Sequence, residues 1–382
     1  MPSAASGVTG QTAFIESLSP WPEEFGLGRM EALLERLGNP ERQVQAIHVV
    51  GTNGKSTTTR MIEALLLEQD VLAGAYVSPH VVSWSERIRI GGEEADFERV
   101  IARVRPAAEE IRATQFEALT AAALAEFAAA GATVAAVEAG LGGRLDATNV
   151  LRTATVVLTN VGLEHTDVLG STREAIAAEK LAVVKPGCRV VLGEPEWEKL
   201  ARACGAGEVV VETGGNLALA TAAVESFFGF AVDPAPARDV ALPGRLEILA
   251  EEPLEIWDGA HNPDGVRWVL PELPERDFVL VASILADKDA AEMLRLFSQR
   301  ASRLVATSST NSRALSAEEL ARRGEPFFDR VEAHAEPARA VARAREVAGL
   351  SGAILVSGSL YLLAELAAVR PTGLPWERSA SE

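Results

Sequence analysis

The sequence predicts an α/β protein: a phosphate-loop domain on a doubly wound, mostly parallel sheet, followed by a smaller Rossmann-like α/β domain. Three observations carry this expectation. Short apolar runs alternate with longer stretches of helical period, the pattern of βαβ units. One junction, IHVVGTNGKSTTT (47–59), has the layout strand, glycine-containing loop, lysine, hydroxyl pair, helix. The polar residues Lys55, Ser78, Glu138 and His165 all stand at the ends of candidate strands, where open parallel sheets place their ligands.

Composition narrows the class. A chain of 382 residues suggests two or three domains at about 150 residues each. Its 48% apolar content allows a large core, and its 5% aromatic content suits Ala-filled helices. A net charge of −18 argues against a nucleic-acid-binding surface, so an anionic substrate needs a local basic pocket. The two cysteines, Cys188 and Cys204, lack metal-type spacing and suit a reduced chain. No apolar run reaches the roughly 18 residues of a membrane span, and the N-terminus lacks the order of an export signal. The expectation is a cytoplasmic protein with neither membrane nor nucleic acid as partner.

In chain order, residues 1–19 read as a frayed tail of small residues, and 25–37 as an amphipathic helix closed by Gly38-Asn39-Pro40. A strand at 47–50 leads into a helix at 56–69, and a second strand at 71–77 closes on Ser78-Pro79-His80. Residues 81–92 read as a loop with a short alternating piece. Residues 96–126 are helical, broken near Pro106 and at Thr114-Gln115. A strand at 133–137 ends at Glu138 and a glycine-rich run (139–149); another at 154–159 leads into Asn160 and a loop to 170. Ser171-Thr172-Arg173-Glu174 opens a helix to 184 as a capping box. A strand at 189–192 and a helix at 216–229 complete the first half. Three prolines between 234 and 243 mark a linker, placing the domains at 1–243 and 244–382. The second domain reads as strands at 255–257, 278–282, 303–307 and 353–356. Its helices read from 262 and over 289–299, 316–323, 336–348 and 359–368, before a disordered tail from 370.

The chemistry concentrates in a few places. In Gly51-Thr52-Asn53-Gly54-Lys55-Ser56-Thr57, backbone N–H groups and the helix dipole favour a phosphate, Lys55 adds a cation, and Ser56 or Thr57 can reach Mg2+. The loop is shorter than the strict pattern, with Val49 six residues before Lys55. Glu138 ends a buried strand and needs a partner for its charge: Mg2+, or else Arg144 or a helix N-terminus. His165 is a surface or packing residue, a metal ligand or a phosphate contact. Lys180 reads by default as a solvated helix lysine. Asp258-Gly259-Ala260-His261-Asn262-Pro263 serves either as a plain strand-to-helix turn or as a site. Trp84, Trp257 and Trp268 read as core residues, with packing around the cleft as the alternative.

Together these stretches resemble the folylpolyglutamate synthase/dihydrofolate synthase family of Mur-type ATP-dependent amide ligases. The motifs occur in the family's order: HVVGTNGKST (48–57), VSPH with ERI (77–88), FEALT (116–120), EAGLGGRLDATNV (138–150), EHTDVLGSTREAIAAEK (164–180), PGR (243–245), DGAHNP (258–263), DKD (287–289) and SGSLY (357–361). The resemblance covers nearly the whole chain, from about Gly26 to Glu365. It departs from the family's pattern at Ser56, where glycine is usual, at Glu164, where aspartate is usual, and at Leu181-Ala182-Val183, where Ala-Gly-Ile is usual.

The resemblance implies roles. Ser78, Glu138 and His165 would bind Mg2+, with K+ as a further candidate cation. Gly51 to Thr57 would hold the triphosphate, with Asn216, Arg245, Asp258 and His261 as further ATP contacts. Lys55, Lys180 and His165 would be catalytic, and Lys180 would be carbamylated. Glu24, Phe25, Gly26 and Leu27, then Thr114, Gln115, Phe116 and Glu117, then Leu145, Asp146 and Ala147 would meet the pterin substrate. The implied reaction adds L-glutamate to folate, and to dihydropteroate, through an acyl phosphate, in a monomer whose second domain closes over the site. The alternatives are a monofunctional folylpolyglutamate synthase or a Mur-type amino-acid ligase acting on another carboxylate. A peptidoglycan ligase would carry a nucleotide-sugar domain before the loop. A nucleotide-gated regulatory module is disfavoured by the Ser/Glu/His set.

Overall fold

The structure is a computed structural model that describes residues 10–369; the expectations for residues 1–9 and for the tail from 370 lie outside it. The chain divides between Val240 and Ala241 into two compact units. In the first unit an eight-stranded sheet comprises β1 (Gln45–Val50), β2 (Ala73–Tyr76), β3 (Ile88–Ile90), β4 (Glu93–Glu94), β5 (Val134–Glu138), β6 (Arg152–Leu158), β7 (Arg189–Leu192) and β8 (Glu208–Val211). Their order is β4-β3-β2-β5-β1-β6-β7-β8. The run from β2 to β8 is parallel, and β3 and β4 join antiparallel at one edge. β1 is central, in register with β5 on one side and β6 on the other.

β1 and β5 are covered by helices on both faces, which is why they read as unbroken apolar runs. On one face lie the Ala-rich helix Gln115–Ala130 and the helix Phe97–Ile111; on the other, Lys55–Leu67 packs beside Gly215–Phe228. Wide use of alanine lets the helices approach closely. The second unit is a six-stranded sheet of β9 (Glu247–Glu251), β10 (Leu254–Trp257), β11 (Phe278–Ala282), β12 (Ala301–Ala306), β13 (Arg330–Ala333) and β14 (Ala353–Ser357). Its order is β13-β12-β11-β14-β10-β9, all parallel except β9. The two units are therefore the expected α/β folds.

Two expectations are corrected, and three strands are new. The stretch read as frayed contains a helix, Gly10–Ser17, whose Phe14 and Ile15 are buried against the first unit's core. Pro106 does not break its helix, which runs unbroken from Phe97 to Ile111. Pro106 and Ala102 both face solvent, so water can meet the carbonyl that loses its N–H partner. The break comes instead at Arg112, in the left-handed conformation, before the Thr114 cap. The strands β8, β9 and β13 lie where the sequence pattern assigns no element.

Candidate active site

The glycine loop leaves the C-terminal end of β1. Gly51 (φ 151°) and Gly54 (φ 80°) both occupy conformations that favour glycine. Space requires it as well: a Cβ on Gly51 would sit 1.9 Å from Thr159 Oγ1, and one on Gly54 would sit 2.5 Å from Asn216 Oδ1. The loop is pinned from β6. Thr52 N–H donates to the Asn160 carbonyl (3.0 Å), Asn53 N–H to Asn160 Oδ1 (3.0 Å), and the Thr159 hydroxyl to the Asn53 carbonyl (2.7 Å). Gly162 N–H donates to Thr52 Oγ1 (2.9 Å), extending the same support into the His165 loop. The helix Lys55–Leu67 starts at Gly54 with no side-chain cap. Its first N–H groups therefore remain available to an anion, reinforced by the dipole. Lys55 Nζ reaches back to the Thr52 carbonyl at 3.0 Å.

Glu138, at the end of β5, is buried beside this loop. Its Oε1 accepts the Ser56 hydroxyl (3.1 Å) and its Oε2 the Ser78 backbone N–H (2.9 Å). Arg144 is not its partner, because that guanidinium pairs with Glu179 at 3.0 Å. A cation whose charge acts on Glu138 is Arg87, which sequence reasoning passed over inside the ERI motif. Burial lowers the Arg87 pKa, opposed by the neighbouring Tyr76, Glu138 and Glu86. Arg87 Nε donates to His80 Nδ1 (2.9 Å), and its guanidinium lies 4.7 Å from the Trp84 ring centroid. Burial, then Arg87, pushes His80 down to about 3, so it accepts as a neutral imidazole. A carboxylate with two serines beside a phosphate loop is a hard-oxygen set that fits Mg2+ or Mn2+ shared with nucleotide oxygens. Among the described residues no group of three or more His, Cys, Asp or Glu forms a closed metal cage. His165 lies in the left-handed conformation just before the helix Thr166–Leu169, its ring partly exposed and its Nε2 3.8 Å from Glu164.

Lys180 is a correction. It is buried, not solvated, and its Nζ donates to the Gly51 carbonyl at 2.7 Å. Glycine explains the approach: a Cβ on Gly143 would lie 2.6 Å from the Lys180 carbonyl oxygen. The helix Arg173–Leu181 thus presses on the glycine-rich run and turns Lys180 inward. Burial, then the charge of Lys55, pushes Lys180 down to about 7.

The residues expected at the pterin divide into engaged and open ones. Thr114 and Glu117 form the capping box of their helix, with Thr114 N–H and Oγ1–H each 2.8 Å from Glu117 Oε2, while Arg29 pairs with Glu117 at 3.1 Å. Arg29 also donates to the Glu24 carbonyl (3.3 Å). Gln115 Nε2 donates to the Ile15 carbonyl at 2.9 Å, which anchors the first helix. Leu27 is the residue before the helix Gly28–Arg36, and Gly26 has open space around it. Phe116 packs over Gly140 and 6.0 Å from the Tyr76 ring. Asp146 and Ala147 are buried, whereas Phe25 and Leu145 are exposed.

In the second unit, Asp258 at the end of β10 is buried. It accepts Leu246 N–H (3.0 Å) and Ala260 N–H (2.8 Å); burial raises its pKa against the pull of Arg245. Arg245 Nη1 donates to the Gly244 carbonyl (3.1 Å), His261 Nδ1 contacts the Gly259 carbonyl (2.8 Å), and Asn262 caps the helix Pro263–Glu272. Part of DGAHNP is thus turn chemistry. Asn216 lies in the first turn of its helix, with its amide oxygen 3.4 Å from Thr58 Oγ1, beside Gly54.

An uncapped helix behind a glycine loop, a buried carboxylate that accepts a serine hydroxyl and a backbone N–H, and a buried lysine on the loop's backbone define a nucleotide-triphosphate site of the phosphate-loop class. Residues 49–199 match the Mur ligase middle domain, and 244–360 the Mur ligase glutamate ligase domain. The Escherichia coli dihydrofolate synthase/folylpolyglutamate synthase is 32% identical over 342 residues, covering 77% of this chain and 80% of that one. Among solved structures, Escherichia coli FolC in complex with DHPP and ADP aligns at a TM-score of 0.84 and 29% identity, covering 97% of this chain and 99% of that chain. The Yersinia pestis bifunctional folylpolyglutamate synthase/dihydrofolate synthase, complexed with AMPPNP and Mn, aligns at 0.85 and 30%, covering 96% and 99%. The chain belongs to the dihydrofolate synthase/folylpolyglutamate synthase family of Mur-type ATP-dependent ligases, as its motif order implied. Among the described residues no helix is long and apolar enough to cross a membrane.

Proposed function

We propose that the chain joins the carboxylate of a folate or of dihydropteroate to the amine of L-glutamate, driven by ATP, through an acyl phosphate. The observation that carries this reading is the placement of the glycine loop, Lys55, Glu138 and Lys180 together at the C-terminal ends of β1 and β5 in a chain of this family. An acceptor carboxylate oxygen attacks the γ-phosphorus and ADP leaves. The glutamate amine then attacks the acyl carbon, the bond to phosphate breaks, and the amine proton departs with the amide formed. Amides 51–57 and Lys55 hold the phosphates in line and counter the negative charge of the transferring group. A divalent cation held by Glu138, Ser56, Ser78 and His165 would supply further charge neutralisation there, with K+ as an additional cation.

Lys180 is the group for carbamylation. Its neutral amine attacks CO2, forming an N–C bond and releasing one proton, which leaves an anionic carbamate beside Gly51. Arg245, Asp258, His261 and Asn216 are assigned to the nucleotide, and Phe25, Phe116 and Leu145 to the pterin. Turnover of an acceptor whose carboxylate carries 18O tests the route. One labelled oxygen should appear in the released phosphate; phosphate free of label would rule out the acyl phosphate.

A further inference from the structure

Between Ala46 and Val50 the only polar side chain of β1 is His48, fully buried and in register with Val137 of β5 and Val156 of β6. An aliphatic residue would fill this place without leaving a polar atom unmet. The His48 Nδ1 has no hydrogen-bond partner among the described residues, which is a standing cost inside a sheet. The other ring nitrogen explains its presence. His48 Nε2 lies 2.8 Å from Thr148 Oγ1, and the Thr148 hydroxyl is hydrogen-bonded to Asp146 Oδ1.

The direction of these bonds follows from the last member. Asp146 Oδ1 also accepts Thr148 N–H (3.0 Å) and Oδ2 accepts Leu141 N–H (2.7 Å); burial raises the Asp146 pKa, and these donors, which can only be accepted by the carboxylate oxygens, pull it back toward the ionised form. Thr148 therefore spends its proton on Asp146, and its lone pair is filled by His48 Nε2–H. Burial and the nearby Lys185 hold His48 down at about 3, so the donor remains a neutral imidazole at any ordinary pH. Lys185 fixes the next residue, donating to Asn149 Oδ1 (2.8 Å), while Asn149 Nδ2 donates to the Arg144 carbonyl (2.8 Å). Residues 141–146 are thereby held at both ends, and Leu145 is presented outward between them.

We propose that His48 is a positioning residue for the acceptor: through Thr148 and Asp146 it sets the 141–147 loop from the same strand that delivers the phosphate loop. This rests on the reading in which residues 145–147 meet the acceptor. His48→Leu removes the donor at similar volume, Thr148→Val removes the hydroxyl with shape retained, and His48→Gln returns an N–H near the Nε2 position. Each full-length variant is measured for KM of tetrahydrofolate and of dihydropteroate, for AMPPNP affinity, and for hydrogen exchange over residues 139–147. In His48→Leu and Thr148→Val, acceptor KM should rise on the order of tenfold, with AMPPNP affinity within about twofold and faster exchange at 139–147; His48→Gln should restore both. If exchange at 139–147 does not change in Thr148→Val, the relay is overturned. Faster exchange with normal acceptor KM would show that the relay holds the loop but that the loop is not the acceptor surface.

Discussion

Removing the charge of Lys55 tests the residue scale most simply. Lys55→Ala keeps the glycine loop's pins to Thr159 and Asn160 and should lower turnover by at least about a thousandfold with an unchanged circular dichroism melt. A melt shift with most of the activity retained would contradict the role of Lys55. Lys180 makes a second prediction, set by sign. Its pKa in the fold is about 7, below that of an unfolded lysine. The unfolded chain therefore binds the extra proton between these values, and this residue's contribution to stability is lost as pH falls from the alkaline range toward 7. The neutral amine grows as pH rises through 7, so turnover in CO2-depleted buffer should recover on adding bicarbonate, more strongly at pH 8 than at pH 6. A bicarbonate response absent at both pH values would count against carbamylation. Lys180 itself could not be singled out from sequence, since a lysine among alanines in a helix looks solvated until Gly143 shows how closely the helix packs.

At the scale of elements, the glycine loop and its helix were legible because each position has one physical demand: a buried strand, a left-handed glycine, a cation and a hydroxyl. Gly51→Ala should therefore cost about 2 kcal/mol or more of stability from its strained φ, and its Cβ would strike Thr159 Oγ1. Nucleotide affinity should fall with it, as calorimetry would show; unaltered binding would mean that the loop tolerates a Cβ. Thr114→Ala removes the cap of the helix Gln115–Ala130 and should cost roughly 1 kcal/mol, read from the denaturant midpoint. What sequence missed among elements was edges. β8 (EVVV), β9 (EILAE) and β13 (RVEA) are short and partly exposed, with charges at their ends, so they lack the apolar run that marks an interior strand. The internal role of Asp146 was not legible, because its partners Leu141 and Thr148 become visible only once the loop closes.

For the whole molecule, the sequence showed two α/β units and the structure shows a separate apolar core in each. The chain from Ala241 onward should therefore fold alone with a cooperative melt; a non-cooperative one would show that its core depends on the first unit. Family membership was legible in the order of the motifs. The most direct measurement is ATP hydrolysis with L-glutamate, run separately with dihydropteroate and with tetrahydrofolate, with the products weighed by mass spectrometry. The account predicts glutamate-dependent ADP formation with both acceptors, each product heavier by one or more glutamyl residues. ATP binding without glutamate-dependent turnover on either acceptor would contradict it.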